Sequence, residues 1–265
     1  MAPRIAIVYY SMYGHVAKIA EAEKSGIEAA GGKADLYQVK ETLPEEVLSK
    51  MYAPGQSSSI PFITPDELEK YDAFLLGIPT RYGNFPAQWK TFWDSTGKQW
   101  QTGGYYGKYV GLFISTASQG GGQESTALAA MSTFAHHGLI YVPLGYATAF
   151  APLANLEEVR GGSAWGAGTF SGADGSRMPT ELELGVAKTH GESFYKAVSK
   201  QEPVAAAGTK TTNGITGASN GTKGTTVETK DPDHVNKSEG APAAQAIGQN
   251  KESGPCGLPV KCVIL

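Results

Sequence analysis

Three short segments of the chain carry residue types suited to holding a flat, phosphorylated ligand. The first is Ser11-Met12-Tyr13-Gly14-His15-Val16, a hydroxyl and a glycine at the mouth of a segment with helical periodicity. Backbone N–H groups point outward at a helix N-terminus and the dipole there favours an anion, so a phosphate suits the position. An ordinary turn with Ser11 as N-cap fits the same residues. The second is Pro79-Thr80-Arg81-Tyr82-Gly83-Asn84, followed by Phe85-Pro86. Its prolines and aromatics make a stiff loop able to wall a flat ring, with Arg81 available to a carbonyl or phosphate; the alternative is a structural loop with a surface arginine. The third is Ser115-Thr116-Ala117-Ser118-Gln119-Gly120-Gly121, leading into Gly122-Gln123-Glu124. Its glycines let backbone approach a ligand closely, although a flexible surface loop explains them as well. His136 and His137 stand just before Gly138, where a histidine is either a packed or capping residue or a site residue. No G-x-S-x-G elbow, P-loop or metal cluster of sensible spacing accompanies these segments. The chemistry they imply is therefore that of a bound organic cofactor, with no metal.

These segments need elements to position them, and the pattern supplies an alternation of strands and helices. Ile5–Tyr10 and Ala73–Ile78 are continuous apolar runs, the mark of strands buried on both faces. Ala34–Val39 reads as an edge strand, Val110–Ile114 as the fourth strand and Leu139–Leu144 as the fifth. Between them, Val16, Ile19, Ala20 and Ile27 share one helical face, which Gly31-Gly32 ends. Helices are also predicted over Pro65–Tyr71, Pro86–Asp94 and Glu124–His136, the last with Leu128, Met131 and Ala135 inward. A final helix opens at Thr180, where Glu183 completes a capping box, and runs to about residue 200. The expected fold is α/β, a flavodoxin-like doubly wound five-stranded parallel sheet. Such a sheet binds its ligand beyond the strand C-termini, which is where the three segments fall.

Composition narrows the partners. A net charge of -3 over 265 residues leaves no basic excess for nucleic acid. Between Pro203 and Cys256 there is no Phe, Trp, Tyr, Leu, Met or Arg, too little apolar surface to offset the entropy of ordering. The chain thus divides into a domain over 1–200, a disordered linker over 201–255 and a terminal motif over 256–265. No apolar run reaches the roughly 20 residues needed to span a bilayer. Both cysteines, Cys256 and Cys262, lie in the terminal motif. Cys262-Val263-Ile264-Leu265 fits C-a-a-X with a terminal Leu that favours geranylgeranyl. One lipid anchors weakly, so Cys256 is the expected palmitoylation site; a redox pairing of the two cysteines is the alternative. The expected location is the cytoplasmic face of a membrane, the plasma membrane first, reached by a lipid anchor.

The ordered set Tyr9–His15, Pro79–Asn84, Gly120–Glu124, Ala135–Gly138, Val142–Tyr146, Val159–Gly162 and Gly172–Arg177 resembles WrbA-type NAD(P)H:quinone oxidoreductases over roughly residues 3 to 200. The resemblance implies FMN, NAD(P)H, a quinone substrate and a homotetramer. It puts the FMN phosphate on Ser11–Val16 and the flavin rings between Pro79–Asn84 and Ser115–Gly121. It makes His136 a flavin contact, Tyr13 a nicotinamide contact and Trp100 an aromatic at the substrate site. Arg81 and His136 would orient the flavin or stabilise its charge. Ala117-Ser118-Gln119 departs from the more Gly-rich run of bacterial members. The implied mechanism is ping-pong, with NAD(P)H first reducing the flavin and a quinone then receiving both electrons, a protection against quinone stress. Competing readings are a one-electron carrier of flavodoxin type and a membrane-associated FMN scaffold with little turnover.

Overall fold

The apolar runs of the sequence become a parallel sheet in the computed structural model, which describes residues 2–200. Its strands are β1 (Ile5–Tyr9), β2 (Ala34–Gln38), β3 (Ala73–Pro79), β4 (Tyr109–Thr116), β5 (Ile140–Tyr141) and β6 (Gly166–Phe170). The helices are α1 (His15–Ala29), α2 (Glu45–Lys50), α3 (Pro65–Leu68), α4 (Ala87–Asp94), α5 (Gly97–Thr102), α6 (Gln123–His137), α7 (Phe150–Ala154) and α8 (Glu181–Val198). The strand order is β2-β1-β3-β4-β5, with β6 also paired to β4. This is the doubly wound, flavodoxin-like arrangement, with its switch point between β1 and β3. The expected linker and the lipidation sites at Cys256 and Cys262 lie outside the described residues.

Alternation along the strands divides the core. Ala6, Val8, Phe74, Leu76, Val110 and Leu112 face one layer, which holds Trp89, Trp93, Phe92, Phe134 and Tyr105. Ile5, Ile7, Leu75 and Phe113 face the other, against α1 and α8. In the second layer two glycines let α1 and α8 meet backbone to backbone. A Cβ at Gly26 would collide with the Lys188 carbonyl, and one at Gly191 with the Glu23 carbonyl. The same crossing buries an acid–base pair, Glu23 Oε1 to His190 Nδ1 at 2.7 Å.

The structure departs from the sequence expectation in two places. The fifth strand position is shared by two segments. β5 keeps only Ile140 and Tyr141 of the expected Leu139–Leu144 run, pairing with Tyr109 and Val110. β6 then continues along Leu112–Thr116. Its Gly-Ala-Gly-Thr start carries little strand propensity, yet the packing demands small residues: a Cβ at Gly168 would sit 2.8 Å from both Gln123 Oε1 and Ile114 O. The inward face of α6 is Thr126, Ala127, Ala130 and Phe134. Of the residues expected inward, Leu128 points outward at 56% exposure and Ala135 is exposed too, while Met131 packs partly buried against the core. The small residues allow the helix to approach the sheet, and Phe134 fills the space beside Trp93 at 6.2 Å between ring centres.

Candidate functional site

The three segments singled out in the sequence meet at one end of the sheet, after β1, β3 and β4. The first forms the entry to α1. Gly14 adopts φ 91° as N-cap and brings no side chain of its own to cap the helix. The first four N–H groups of a helix lack intrahelical acceptors. Here Ser11 Oγ accepts from Gly14 N at 3.1 Å and Ala17 N at 3.3 Å, and Gly14 O accepts from Lys18 N. The N–H groups of His15 and Val16 are left for an anion. Ser11 is therefore a bracket that shapes the loop. His15 is buried, and its Nε2 has no hydrogen-bond partner. Burial lowers its pKa, outweighing the backbone of Gly175 and Arg177, which favours the protonated ring, and the nearby Lys18 and Arg177 charges lower it further. Met12 is buried in the core. Tyr13 is half-buried and donates through its hydroxyl to Met51 O at 3.0 Å.

The second segment leaves β3 as a tight turn. Arg81 and Asn84 exchange backbone hydrogen bonds at 2.9 and 3.0 Å, and Tyr82 (φ 54°) and Gly83 (φ 72°) both take the left-handed conformation. This is the pattern of a type I′ turn, for which glycine and asparagine are the usual residues. Tyr82 pays for its place with backbone strain, and its ring is 94% exposed. Arg81 is half-buried and folds back to Thr80 O at 2.8 Å.

The third segment is tied to the second. Thr80 N donates to Ser115 O at 2.9 Å, and the Thr80 and Thr126 hydroxyls lie 2.6 Å apart. A Cβ on Gly83 would stand 2.5 Å from Ser125 Oγ, and one on Gly122 only 3.1 Å from Gly83 Cα. Ser115 and Thr116 are buried at the end of β4, while Ser118, Gln119 and Gly120 are exposed at the loop tip. Ala117 O accepts from Gly172 N at 3.0 Å, and Gly121 N donates to Ser118 O at 3.0 Å. Gly122, Ser125 and Thr126 belong to this junction; the sequence takes the loop on to Glu124, but the expected cofactor contacts end at Gly121. The uninterrupted glycine run was the available signal.

Below the loops, Glu41 gathers a polar knot at the end of β2. Its carboxylate accepts from the Tyr10 hydroxyl at 2.5 Å, Gln88 Nε2 at 2.7 Å, and the N–H groups of Thr42 and Leu43 at 2.8 and 2.9 Å. Burial opposes the charge, but these donors outweigh it and hold the carboxyl below the ordinary value of 4.5. A depressed carboxyl stabilises the fold fully above its unfolded value. That contribution is lost as pH falls through the lower folded value. Glu41→Gln is therefore expected to flatten the acid limb of a plot of melting temperature against pH below about 4.5. An unaltered limb would place the acid sensitivity elsewhere.

Two residues expected at the site are not there. α6 begins at the loop end of β4 and runs back about 22 Å at 1.5 Å per residue, carrying His136 to the opposite end of the sheet. Gly138 O accepts from Gly107 N there, and Lys108 O from Ile140 N, beside the start of β4. His136 is exposed, with Nδ1 2.7 Å from Ser132 O on its own helix. Its neighbour His137 turns inward to Thr96 Oγ1 at 3.0 Å. Trp100, on α5, shares that far end and is 60% exposed. It follows Gln99, which reaches Asp66 at 2.7 Å in front of β3. Tyr106 is exposed in the same region and covers Gly138.

Comparison with known proteins identifies the family. Residues 7–151 match the family model described as NADPH-dependent FMN reductase. The Minor allergen Alt a 7 of Alternaria alternata is 66% identical over 201 residues, 76% of this chain and 98% of the allergen. The Candida albicans protein named NAD(P)H quinone oxidoreductase PST3 is 58% identical over 200 residues, 76% of this chain and all of that protein (100%). A flavodoxin-type, WrbA-like protein of Agrobacterium tumefaciens shares the fold, with a TM-score of 0.52 at 23% identity, covering 76% of this chain and 99% of that one.

Proposed function

The chain belongs to the NADPH-dependent FMN reductase family, and on that premise we propose that it binds FMN on its three loops and uses NAD(P)H to reduce quinones. One observation carries the reading: the entry to α1, where Ser11 satisfies Gly14 N and Ala17 N but not the N–H groups of His15 and Val16, lies beside two interlocked loops at the switch point of the sheet. Its relatives named NAD(P)H quinone oxidoreductase support the choice of substrates. The residues fit the cofactor. The free N–H groups of His15 and Val16 suit its phosphate, and the buried, partnerless His15 Nε2 is an orphan polar atom at the same entry.

FMN, when bound, supplies the two-electron chemistry, alternating between a nicotinamide donor and a quinone acceptor. The protein's part is to bind, orient and exclude water. The left-handed turn at Tyr82-Gly83 leaves the Tyr82 side chain exposed, where it would offer an aromatic edge to the ligand, and Arg81, held by Thr80 O, would offer a cation. Oriented charge and N–H groups of this kind stabilise negative charge on a reduced ring without reorganising. Tyr13, braced by Met51 O, offers a fixed face to the nicotinamide. Anaerobic titration of the FMN-loaded protein tests the reading. NADPH or NADH should bleach the flavin absorbance and benzoquinone should restore it. A flavin that stays oxidised refutes the function.

We further propose that His136 and Trp100 serve the flavin site of a second copy in a homo-oligomer. Their position at the far end of the sheet supports this, because within one chain they cannot reach the loops after β1 and β3. A mixed assembly of Arg81→Ala and His136→Ala chains then contains some sites with both groups intact. It is expected to turn over faster than either parent. A mixture no faster than its better parent would count against the shared site.

A further inference from the structure

We propose that Tyr52 is a stacking surface for the adenine ring of the nicotinamide dinucleotide, set just outside Tyr13. This rests on the reading that NAD(P)H is the electron donor. The observation is a tyrosine at a backbone position suited to glycine. α2 closes at Met51 with Tyr52 N donating to Ser49 O at 3.1 Å and Ala53 N to Leu48 O at 3.0 Å. The residue after such a cap takes the left-handed conformation, and glycine is usual there. Tyr52 holds φ 54°. The strain is not repaid by packing, because the residue is 86% exposed.

The segment that presents Tyr52 is fixed against the functional end of the sheet. Tyr13 donates to the carbonyl of Met51, the residue before it. Four residues on, Gln56 donates to Val39 O at 2.7 Å and accepts from Glu41 N at 2.9 Å, at the end of β2. The result is an exposed aromatic on a braced support, one residue from the group that holds Tyr13. Such a surface takes a purine by stacking, which needs only a π face. The geometry also selects among the substrates. A quinone ends at the flavin. A dinucleotide has a second half, and with its nicotinamide beside Tyr13 the ring of Tyr52, one residue past the carbonyl that holds Tyr13, stands within that half's reach.

The test uses the full-length, FMN-loaded protein with saturating benzoquinone. Tyr52→Gly and Tyr52→Phe are compared with the parent on NADPH and on reduced nicotinamide mononucleotide, which lacks the adenosine half. Glycine relieves the strained φ, so Tyr52→Gly is expected to melt about 2–4 °C higher. Its kcat/KM for NADPH, relative to that for the short donor, should fall on the order of tenfold, the loss residing in KM. Tyr52→Phe, which keeps the ring, should retain the parental ratio. Competitive inhibition by AMP is a second measure, independent of turnover with the short donor, and should weaken by a similar factor in Tyr52→Gly. An unchanged ratio and unchanged AMP inhibition overturn the proposal, as do equal losses with both donors. An altered oligomeric mass in Tyr52→Gly also overturns it, since Tyr52 is then an interface residue. If NADPH fails to bleach the parental flavin, the reductase reading itself fails. A flavin that NADPH bleaches normally, with an unmoved ratio and unmoved AMP inhibition, removes Tyr52 alone.

Discussion

Glu183→Ala is expected to cost about 3–5 kcal/mol, because it removes a fully buried carboxylate and leaves several donors without their acceptor at once. Glu183 is fully buried. Its carboxylate accepts from Gly161 N at 2.8 Å, Thr169 Oγ1 at 2.8 Å and Thr180 N at 2.9 Å. Arg177 Nη1 reaches both oxygens, at 3.1 and 3.0 Å. Thr180 returns its own side chain to Glu183 N, completing the capping box of α8. One residue therefore joins the start of α8, strand β6, the turn before β6 and the segment from Gly172 to Arg177. Every partner of the carboxylate is a donor. An ionised carboxylate accepts only, whereas an amide must turn an N–H2 toward some of those donors. Glu183→Gln is thus expected to recover no more than half of the loss, despite its matching shape. At about 2–4 °C per kcal/mol for a domain of this size, the alanine variant should melt on the order of 10 °C lower. Urea unfolding gives the free energy directly. A glutamine variant as stable as the parent would show that charge plays no part in the junction.

That junction also marks how far the sequence could be read. The capping box at Thr180 and Glu183 was visible because both of its bonds join positions three residues apart. The other partners of Glu183 lie up to 22 residues away in the chain, and no local pattern points to them. The central strands were legible for a related reason: burial on both faces leaves an unbroken apolar run in β1 and β3. β6 is just as buried, but its glycines answer a steric limit set by Leu112, Ile114 and Gln123, and that limit exists only after folding. α6 carries apolar residues on more than one face, so periodicity alone could not choose between Leu128 and Phe134. The three loops were legible because an open α/β sheet places its ligand beyond the strand C-termini. Resemblance grouped His136 and Trp100 with those loops, while the length and direction of α6 put His136, and the position of α5 puts Trp100, at the other end of the fold. Composition carries no record of that direction, and the structure turns it into a question of assembly.

Gly122→Ala is expected to weaken FMN binding by at least tenfold while leaving the protein folded. Gly122 holds φ 101° as the residue before α6, a conformation that strains any side-chain-bearing residue by about 1–3 kcal/mol. Strain alone is not the whole effect. The added Cβ would lie 3.0 Å from Ser125 Oγ and 3.1 Å from Gly83 Cα. The serine can rotate away, but Gly83 is backbone, in the left-handed turn that follows Tyr82. Relief therefore comes from moving the second loop away from the third, which widens the space meant for the flavin rings. Gly120→Ala separates the two causes. Gly120 also has a positive φ, 68°, in the same loop, but nothing stands within 4 Å of its Cβ position. That variant carries conformational strain without a collision. If contact between the loops sets the cofactor gap, FMN titration of the apoprotein by fluorescence should show a much larger loss for Gly122→Ala than for Gly120→Ala. Equal losses would mean that loop strain governs binding and that the close approach of Gly83 and Gly122 is incidental. The comparison bears on the chemistry as well, because a flavin loosened between its two walls loses the fixed relation to Arg81 and Tyr13 that the proposed transfer requires.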